Sequence, residues 1–100
     1  DRKALAEDGM FVVIALLNVK TGKLRKSPDI ISRGFVYLRE SQDLLSESRI
    51  IAKKTVEQAA KGMNPVNFDH IRKQLSEAMS AFLLQKTHKH PIVIPVLLGV

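Results

Sequence analysis

MFVVIALLNV, residues 10–19, is the stretch of sequence that decides the fold. Val12, Ile14 and Leu16 alternate with residues that are themselves Phe, Val, Ala or Leu, so both faces of the stretch are apolar. An uninterrupted apolar run of this length predicts a β-strand, Met10–Val19, that is buried on both sides. The elements that cover this strand must come from the rest of the chain.

Two further strands are predicted, one early and one at the end of the chain. A turn containing Gly22 and a polar, basic connection, Leu24–Asp29, separate the first strand from the second, Ile30–Leu38. The third strand is Ile92–Leu98. Because Pro95 has no N–H to donate, we expect this strand at a sheet edge or at a bulge.

Two amphipathic helices are predicted between the second and third strands. Ser41 or Asp43 is expected to cap the first, which runs to about Lys61 and stops at a glycine. Asn67 is expected to cap the second, which runs to about Thr87. Each helix carries one apolar stripe. The prediction is therefore a single α+β domain over residues 1–100, with a three-stranded sheet, two helices packed on one face and the order β-β-α-α-β.

The composition favours a cytoplasmic domain that meets acidic partners. Lys and Arg number 16 against 10 Asp and Glu, for a net charge of +6, and nucleic acids are abundant acidic partners in the cytoplasm. Cysteine is absent, which excludes disulfides and thiolate metal sites. No apolar run approaches the roughly 20 residues that span a bilayer, so no membrane partner is expected. Asp1–Glu7 predicts a short helix or the end of one. The sequence starts at Asp1 without Met and finishes at Val100 inside an apolar stretch. Both ends favour a domain excised from a longer chain.

The sequence carries no complete catalytic or metal site. None of its serines lies in a Gly-x-Ser-x-Gly elbow, and no glycine-rich loop precedes a helix in the phosphate-binding pattern. His88 and His90 form a His-x-His pair, but a structural zinc site needs four ligands and His70 is the one other histidine. Glu57 and other helix carboxylates are interpreted as solvated surface charges. We therefore expect no catalytic residue, no metal ligand and no cofactor in this domain.

A run of cations is the strongest signal for binding. Four of them fall within seven residues with no acid between them: Lys20, Lys23, Arg25 and Lys26. Arg49, Lys53 and Lys54 follow on the first predicted helix. Phosphate contacts need only such positioned cations, so the Lys20–Lys26 hairpin is a candidate RNA contact, and a solvated loop is the alternative.

Arg33, Phe35 and Tyr37 fall on one face of the second predicted strand. The segment partly resembles the strand motif of RNA-recognition-motif domains, whose aromatic side chains stack on bases. That fold needs a helix between its first two strands, and no helix is predicted there. We therefore favour packing of Phe35 and Tyr37 against another domain or subunit.

Three segments resemble the C-terminal domain of the ribonuclease J family. Ile31–Tyr37 (ISRGFVY) is similar to that domain's most characteristic segment, Glu7–Met10 to its opening, and Thr87–Val96 to its closing strand. The resemblance spans nearly the whole chain in the right order. The family's domain pairs a three-stranded sheet with two helices, which agrees with the elements predicted above.

The resemblance implies an accessory domain of a hydrolase that cuts RNA. Ribonuclease J enzymes are bacterial and archaeal nucleases with 5′→3′ exonuclease and often endonuclease activity in mRNA decay and rRNA maturation. Their catalysis belongs to a metallo-β-lactamase domain, where two zinc ions activate water, and none of those ligands carries over to this chain. The implied partners are RNA, the other domains of the same chain, and further subunits in a homodimer or homotetramer.

The uncovered face of the sheet is the predicted functional surface. Arg33, Phe35 and Tyr37, with one side of the first strand, are expected to form an apolar and aromatic patch that docks a domain or a subunit. Two other functions are open: an independent RNA-binding module that uses the Arg33–Arg39 strand face, and an adaptor that binds another protein through its helices.

Overall fold

The computed structural model describes residues 8–35 and 41–100 of the chain. The predicted helix Asp1–Glu7 and the end of the predicted second strand, from residue 36 onward, lie outside the described residues. The elements are β1 (Met10–Asn18), β2 (Lys23–Leu24), β3 (Asp29–Arg33), α1 (Ser41–Ala60), α2 (Phe68–Thr87) and β4 (Ile92–Gly99). The predicted α+β class is confirmed. Across the described ranges, neither helix is long and apolar enough to cross a membrane.

β1 is the central strand of the sheet. β2 and β3 pair with it antiparallel along one edge, while β4 pairs with it in parallel along the other. Among the described residues the sheet therefore has four strands rather than three, because β3 overlaps the start of the predicted second strand and β2 is an additional short strand. Lys23–Leu24, predicted to be a turn and a connection, belongs to the ladder, and the N–H of Arg25 still donates to the Leu16 carbonyl at 2.9 Å. Pro28 then interrupts the pairing, since it has no N–H.

Burial alternates strictly along β1. Its odd-numbered side chains are completely buried beneath the helices: Phe11, Val13, Ala15 and Leu17. Its even-numbered side chains are half-buried on the opposite face. The prediction that Met10–Val19 is buried on both sides is therefore wrong for the single chain, because both helices pack on the same side of the sheet.

α2 agrees closely with its sequence signals, whereas α1 begins at Ser41, so the two predicted caps, Ser41 and Asp43, lie within its first turn. α1 buries one face, made of Leu44, Ser48, Ala52, Val56 and Ala60. α2 buries the stripe formed mainly by Ile71, Leu75, Met79, Phe82 and Leu83. The Oδ1 of Asn67 accepts a hydrogen bond from the His70 N–H at 3.1 Å, which confirms the predicted cap. The two buried faces meet the odd-numbered side chains of β1 in one core.

β4 lies at an edge of the sheet, as Pro95 predicted. Its register with β1 runs without interruption from Met10 opposite Ile92 to Leu17 opposite Gly99. β1 is its one strand partner among the described residues. An edge strand has one row of N–H groups that needs no partner, so a proline is tolerated there.

Ser48 is a polar residue in the buried face of α1. Its side chain is completely buried, and its hydroxyl has no hydrogen-bond partner in the part of the chain that the structure describes. A buried hydroxyl without a partner destabilises the folded state, so Ser48→Ala is expected to raise the free energy of unfolding by about 1 kcal/mol. Urea denaturation measures the change. Ser46→Ala, on the exposed side of the same helix, gives the contribution of helix propensity alone. A gain no larger than that of Ser46→Ala would contradict the prediction.

Candidate docking face and basic groove

The sheet surface opposite the helices, here called the open face, is lined by aliphatic side chains. Residues that pair directly across neighbouring strands point to the same side, so Ile31, Val12 and Ile94 form one row across β3, β1 and β4. Ile31 is 43% exposed and Ile94 is 37% exposed. The aliphatic side chains of the open face are Met10, Val12, Ile14, Leu16, Ile31, Ile92, Ile94, Val96 and Leu98.

Two opposite charges flank this aliphatic row on β3. Asp29 pairs with Ile14 and Arg33 pairs with Met10, so both charged side chains lie on the open face, one on each side of Ile31. Both are exposed. The structure thus places Arg33 on the face where the sequence predicted it.

Phe35 does not share that face. β3 ends at Arg33, Gly34 follows with a φ of 68°, and the Phe35 ring packs edge-on against Phe11 with 5.9 Å between ring centroids. Since Phe11 belongs to the core beneath the helices, Phe35 is turned toward the helix side. Tyr37, the third predicted interface residue, lies outside the described residues.

The aliphatic part of the open face extends beyond the sequence prediction. One side of the first strand was expected there, but the contribution of β4 was missed. Ile92, Ile94, Val96 and Leu98 alternate with residues that are also apolar, so the segment predicts a strand that is apolar on both faces. It could not be assigned to a face because the sequence does not give the parallel register with β1.

The histidines lie apart from any cluster that suits a metal. Within residues 8–35 and 41–100, no three His, Asp or Glu side chains are grouped to hold an ion. His88 is the C-terminal cap of α2, with a left-handed φ of 61°. The backbone N–H of His90 donates to the Asp8 carboxylate at 2.7 Å. The His-x-His segment therefore forms the connection from helix to strand.

Glu57 is not the solvated surface charge that the sequence indicated. Its side chain is 16% exposed, and its Oε2 accepts a hydrogen bond of 2.9 Å from the backbone N–H of Leu24. Because α1 lies against the hairpin, this carboxylate satisfies a backbone donor that would otherwise be left unpaired. The bond ties β2 to α1.

A basic groove, here called the lysine groove, runs between the β1–β2 turn and α1. Lys23 lies on the turn side, and Lys53, Lys54 and Lys61 come from α1 and its C-terminal end. Glu57 is the one acidic residue of the lining, so the groove carries a net charge of +3. It is an open groove with a volume of about 610 Å³, and all four lysines are exposed.

The structure separates the four hairpin cations that the sequence grouped together. Lys23 lines the lysine groove, whereas Lys20 lines a different depression beyond the turn. Lys26 forms an exposed ion pair with Asp29 at 3.4 Å. Arg25 is exposed where the chain leaves β2. The other lysines of the groove come from α1 and from the turn that follows it. The sequence prediction missed Lys61, although its spacing continues the helical face of Lys53 and Lys54.

These features define a two-layer α+β domain with helices on one side of a mixed sheet and an aliphatic face left open on the other. Over residues 1–100 the chain matches the family model described as "Ribonuclease J C-terminal domain". The chain belongs to this family.

Curated relatives agree with the family match. Ribonuclease J 2 from Staphylococcus epidermidis is 36% identical over 97 residues, which are 97% of this chain and 17% of the relative. Ribonuclease J 2 from Staphylococcus aureus is 37% identical over the same shares of the two chains. The chain thus spans 17% of the length of these curated relatives.

Proposed function

We propose that this domain is the accessory and assembly domain of a ribonuclease J, and that its open face joins two copies of the protein. The observation that carries the proposal is the row Ile31–Val12–Ile94, in which the aliphatic side chains on the two outer strands, Ile31 and Ile94, are exposed. Exposed apolar surface costs about 25 cal/mol per Å² relative to burial. A contiguous patch of this kind marks a surface that binds another protein.

A second copy suits the open face because β3 is self-complementary. Asp29 and Arg33 carry opposite charges and lie about 13 Å apart along the strand, with Ile31 between them. A two-fold axis near Ile31 would bring Asp29 of one copy opposite Arg33 of the other. The same axis would bring the two aliphatic rows into contact, as a symmetric dimer interface requires.

RNA cleavage belongs, in this proposal, to the rest of a longer cytoplasmic protein. That protein would carry the metallo-β-lactamase domain and its two zinc ions, and it would assemble as a homodimer or homotetramer. Two observations support this division. The described histidines and carboxylates do not fit a zinc site. The chain also spans only 17% of the length of a relative that is named ribonuclease J 2.

An independent RNA-binding module on the Arg33–Arg39 strand face has less support. Stacking on bases needs exposed aromatic rings, and the Phe35 ring packs against Phe11 instead. The face around Arg33 is aliphatic, which suits protein contacts better than nucleic acid.

The combined change Ile31→Lys with Ile94→Lys is expected to make the chain monomeric. Each substitution places a charge in the aliphatic row, and two-fold symmetry brings like charges together across the interface. Light scattering coupled to size exclusion measures the mass. The unchanged chain is expected at about twice the 11.2 kDa of one copy, and the double variant at that of one copy.

The matched control is Ile50→Lys with Leu84→Lys. These side chains are 66% and 38% exposed on the helices, and the variant has the same change in charge and hydrophobicity. We expect it to remain dimeric. The proposal fails if the control dissociates equally, if the open-face variant stays dimeric, or if the unchanged chain is a monomer at its highest soluble concentration.

A further inference from the structure

We propose that the lysine groove binds the phosphate backbone of single-stranded RNA without reading its bases. The choice of RNA among polyanions rests on the proposed function, in which the whole protein cuts RNA. The position of the binding surface rests on the groove alone. It lies between the β1–β2 turn and α1, and it uses none of the aliphatic residues of the open face.

The groove lysines are arranged along a line. Lys53, Lys54 and Lys61 follow one face of the helix and its continuation, and Lys23 faces them from the turn. The distance from Lys53 to Lys61 is about 12 Å at 1.5 Å per residue. Each strand of a duplex has one phosphate per about 3.4 Å of helix axis, and an extended single strand spaces its phosphates more widely, so this line covers at most about three phosphates. Its length thus suits a strand rather than a single small anion.

The positive charge of the groove is largely free to act on a ligand. Lys53 is 3.7 Å from the Glu57 carboxylate, which also accepts the Leu24 N–H. Among the described residues, Lys23, Lys54 and Lys61 form no ion pair. A phosphate that enters the groove therefore meets three cations that form no ion pair with any described carboxylate.

The two walls of the groove are fixed relative to each other. The Asn18 side chain accepts hydrogen bonds from the N–H groups of Lys20 and Thr21 at 2.9 and 3.1 Å. The Thr21 hydroxyl in turn accepts the N–H of Lys23 at 3.2 Å. With the Leu24–Glu57 bond, these contacts hold the turn against α1, so little backbone ordering is needed when a ligand binds.

The lining explains why binding would ignore base sequence. Besides its lysines and glycines it contains Thr21, Gln58, Glu57 and Ile50, but no aromatic side chain and no arginine. Lysine contacts phosphate as a point charge, whereas base recognition needs stacking or paired hydrogen bonds. The groove therefore suits contacts that position a strand.

The test is the salt dependence of RNA affinity for the variant Lys54→Gln with Lys61→Gln. Fluorescence anisotropy of a labelled single-stranded RNA oligonucleotide gives the Kd over a range of KCl concentrations. Each lost phosphate contact reduces the slope of log affinity against log salt by about 0.7, so a reduction of about 1.4 is expected. At physiological salt the affinity should fall about tenfold. Both side chains are exposed, so the melting temperature should change little.

Two double variants serve as controls of equal charge. Lys73→Gln with Lys86→Gln removes exposed cations from α2, and Lys20→Gln with Lys26→Gln removes hairpin cations outside the groove. Both variants should keep most of the slope of log affinity against log salt. An equal loss in the α2 control would show that net charge alone attracts RNA, and an equal loss in the hairpin control would place the strand outside the groove. Either result overturns the proposal.

Other polyanions complete the test. Binding to vesicles that contain anionic lipid but not to RNA would overturn the assignment to RNA, and so would tighter binding to single-stranded DNA. The groove variants keep the open face intact and are expected to remain dimeric. Loss of RNA binding in an intact dimer is the predicted result, whereas an unaltered slope refutes the groove and leaves the assembly role standing.

Discussion

Gly9→Ala is expected to lower the free energy of unfolding by about 3 kcal/mol or more. Gly9 has a φ of 84°, and a Cβ there would lie 2.5 Å from the Arg33 carbonyl oxygen and the Phe35 nitrogen, and closer still to the carbonyl carbon of Gly34. These atoms are all backbone, so no change of rotamer relieves the overlap. The Gly9 carbonyl also accepts the N–H of Ile92 at 2.9 Å, so a shift would disturb both edges of the sheet.

Thermal denaturation followed by circular dichroism measures this loss, which corresponds to a fall in Tm of about 15 °C for a domain of this size. Gly62→Ala is the control, because Gly62 has a similar φ of 71° but no atom within 4 Å of the added Cβ. The control should lower the free energy of unfolding by about 1 kcal/mol, because alanine disfavours the left-handed backbone conformation. Equal losses in the two variants would show that the overlap at Gly9 is relieved at little cost.

Phe11→Ala is expected to destabilise the chain by about 4 kcal/mol. Phe11 lies on the central strand, is completely buried, and contacts Phe35 ring edge to ring face at 5.9 Å. The change removes a large side chain from the core and leaves a cavity beneath the helices. Urea denaturation measures the free energy of unfolding.

Phe35→Ala is the companion variant. It should lower the free energy of unfolding by about 2 kcal/mol, since Phe35 is half-buried. The double variant should cost about 1 kcal/mol less than the sum of the two, because their aromatic contact is lost only once. Strictly additive losses would mean that the two rings do not interact. In that case Phe35 would be available to the partner surface that the sequence indicated.

The regular elements of the fold could largely be predicted because their signals are local. Asn67 has a side chain that caps a helix, the α2 stripe repeats at helical spacing, and Pro95 lacks a donor. Between the first two predicted strands, the sequence indicates only a turn and a polar connection, Leu24–Asp29. That Lys23–Leu24 nonetheless pairs with β1 depends on the turn geometry, which places Leu24 opposite Leu17.

The candidate site was predictable in part. Arg33 follows the alternation of its strand and lies on the open face as expected. Phe35 departs from that alternation because Gly34 changes the chain direction and the Phe11 ring offers a buried partner. The lysine groove depends on the packing of α1 against the turn, a contact between distant segments that no local pattern encodes. Sequence spacing identified the cations but not the groove in which Lys23 meets Lys61.

The parallel pairing of β1 with β4 joins residues 82 positions apart, from Met10 opposite Ile92 onward. Contacts of such high sequence separation form only after the entropy of closing a long loop has been overcome, which slows folding relative to helical bundles of the same size. The β1–β2–β3 hairpin and the two helices are local and can form early. Until β4 arrives, one edge of the central strand stays unpaired. The partly folded chain therefore offers that edge to other chains, and the rate at which β4 docks sets how long it is open to aggregation.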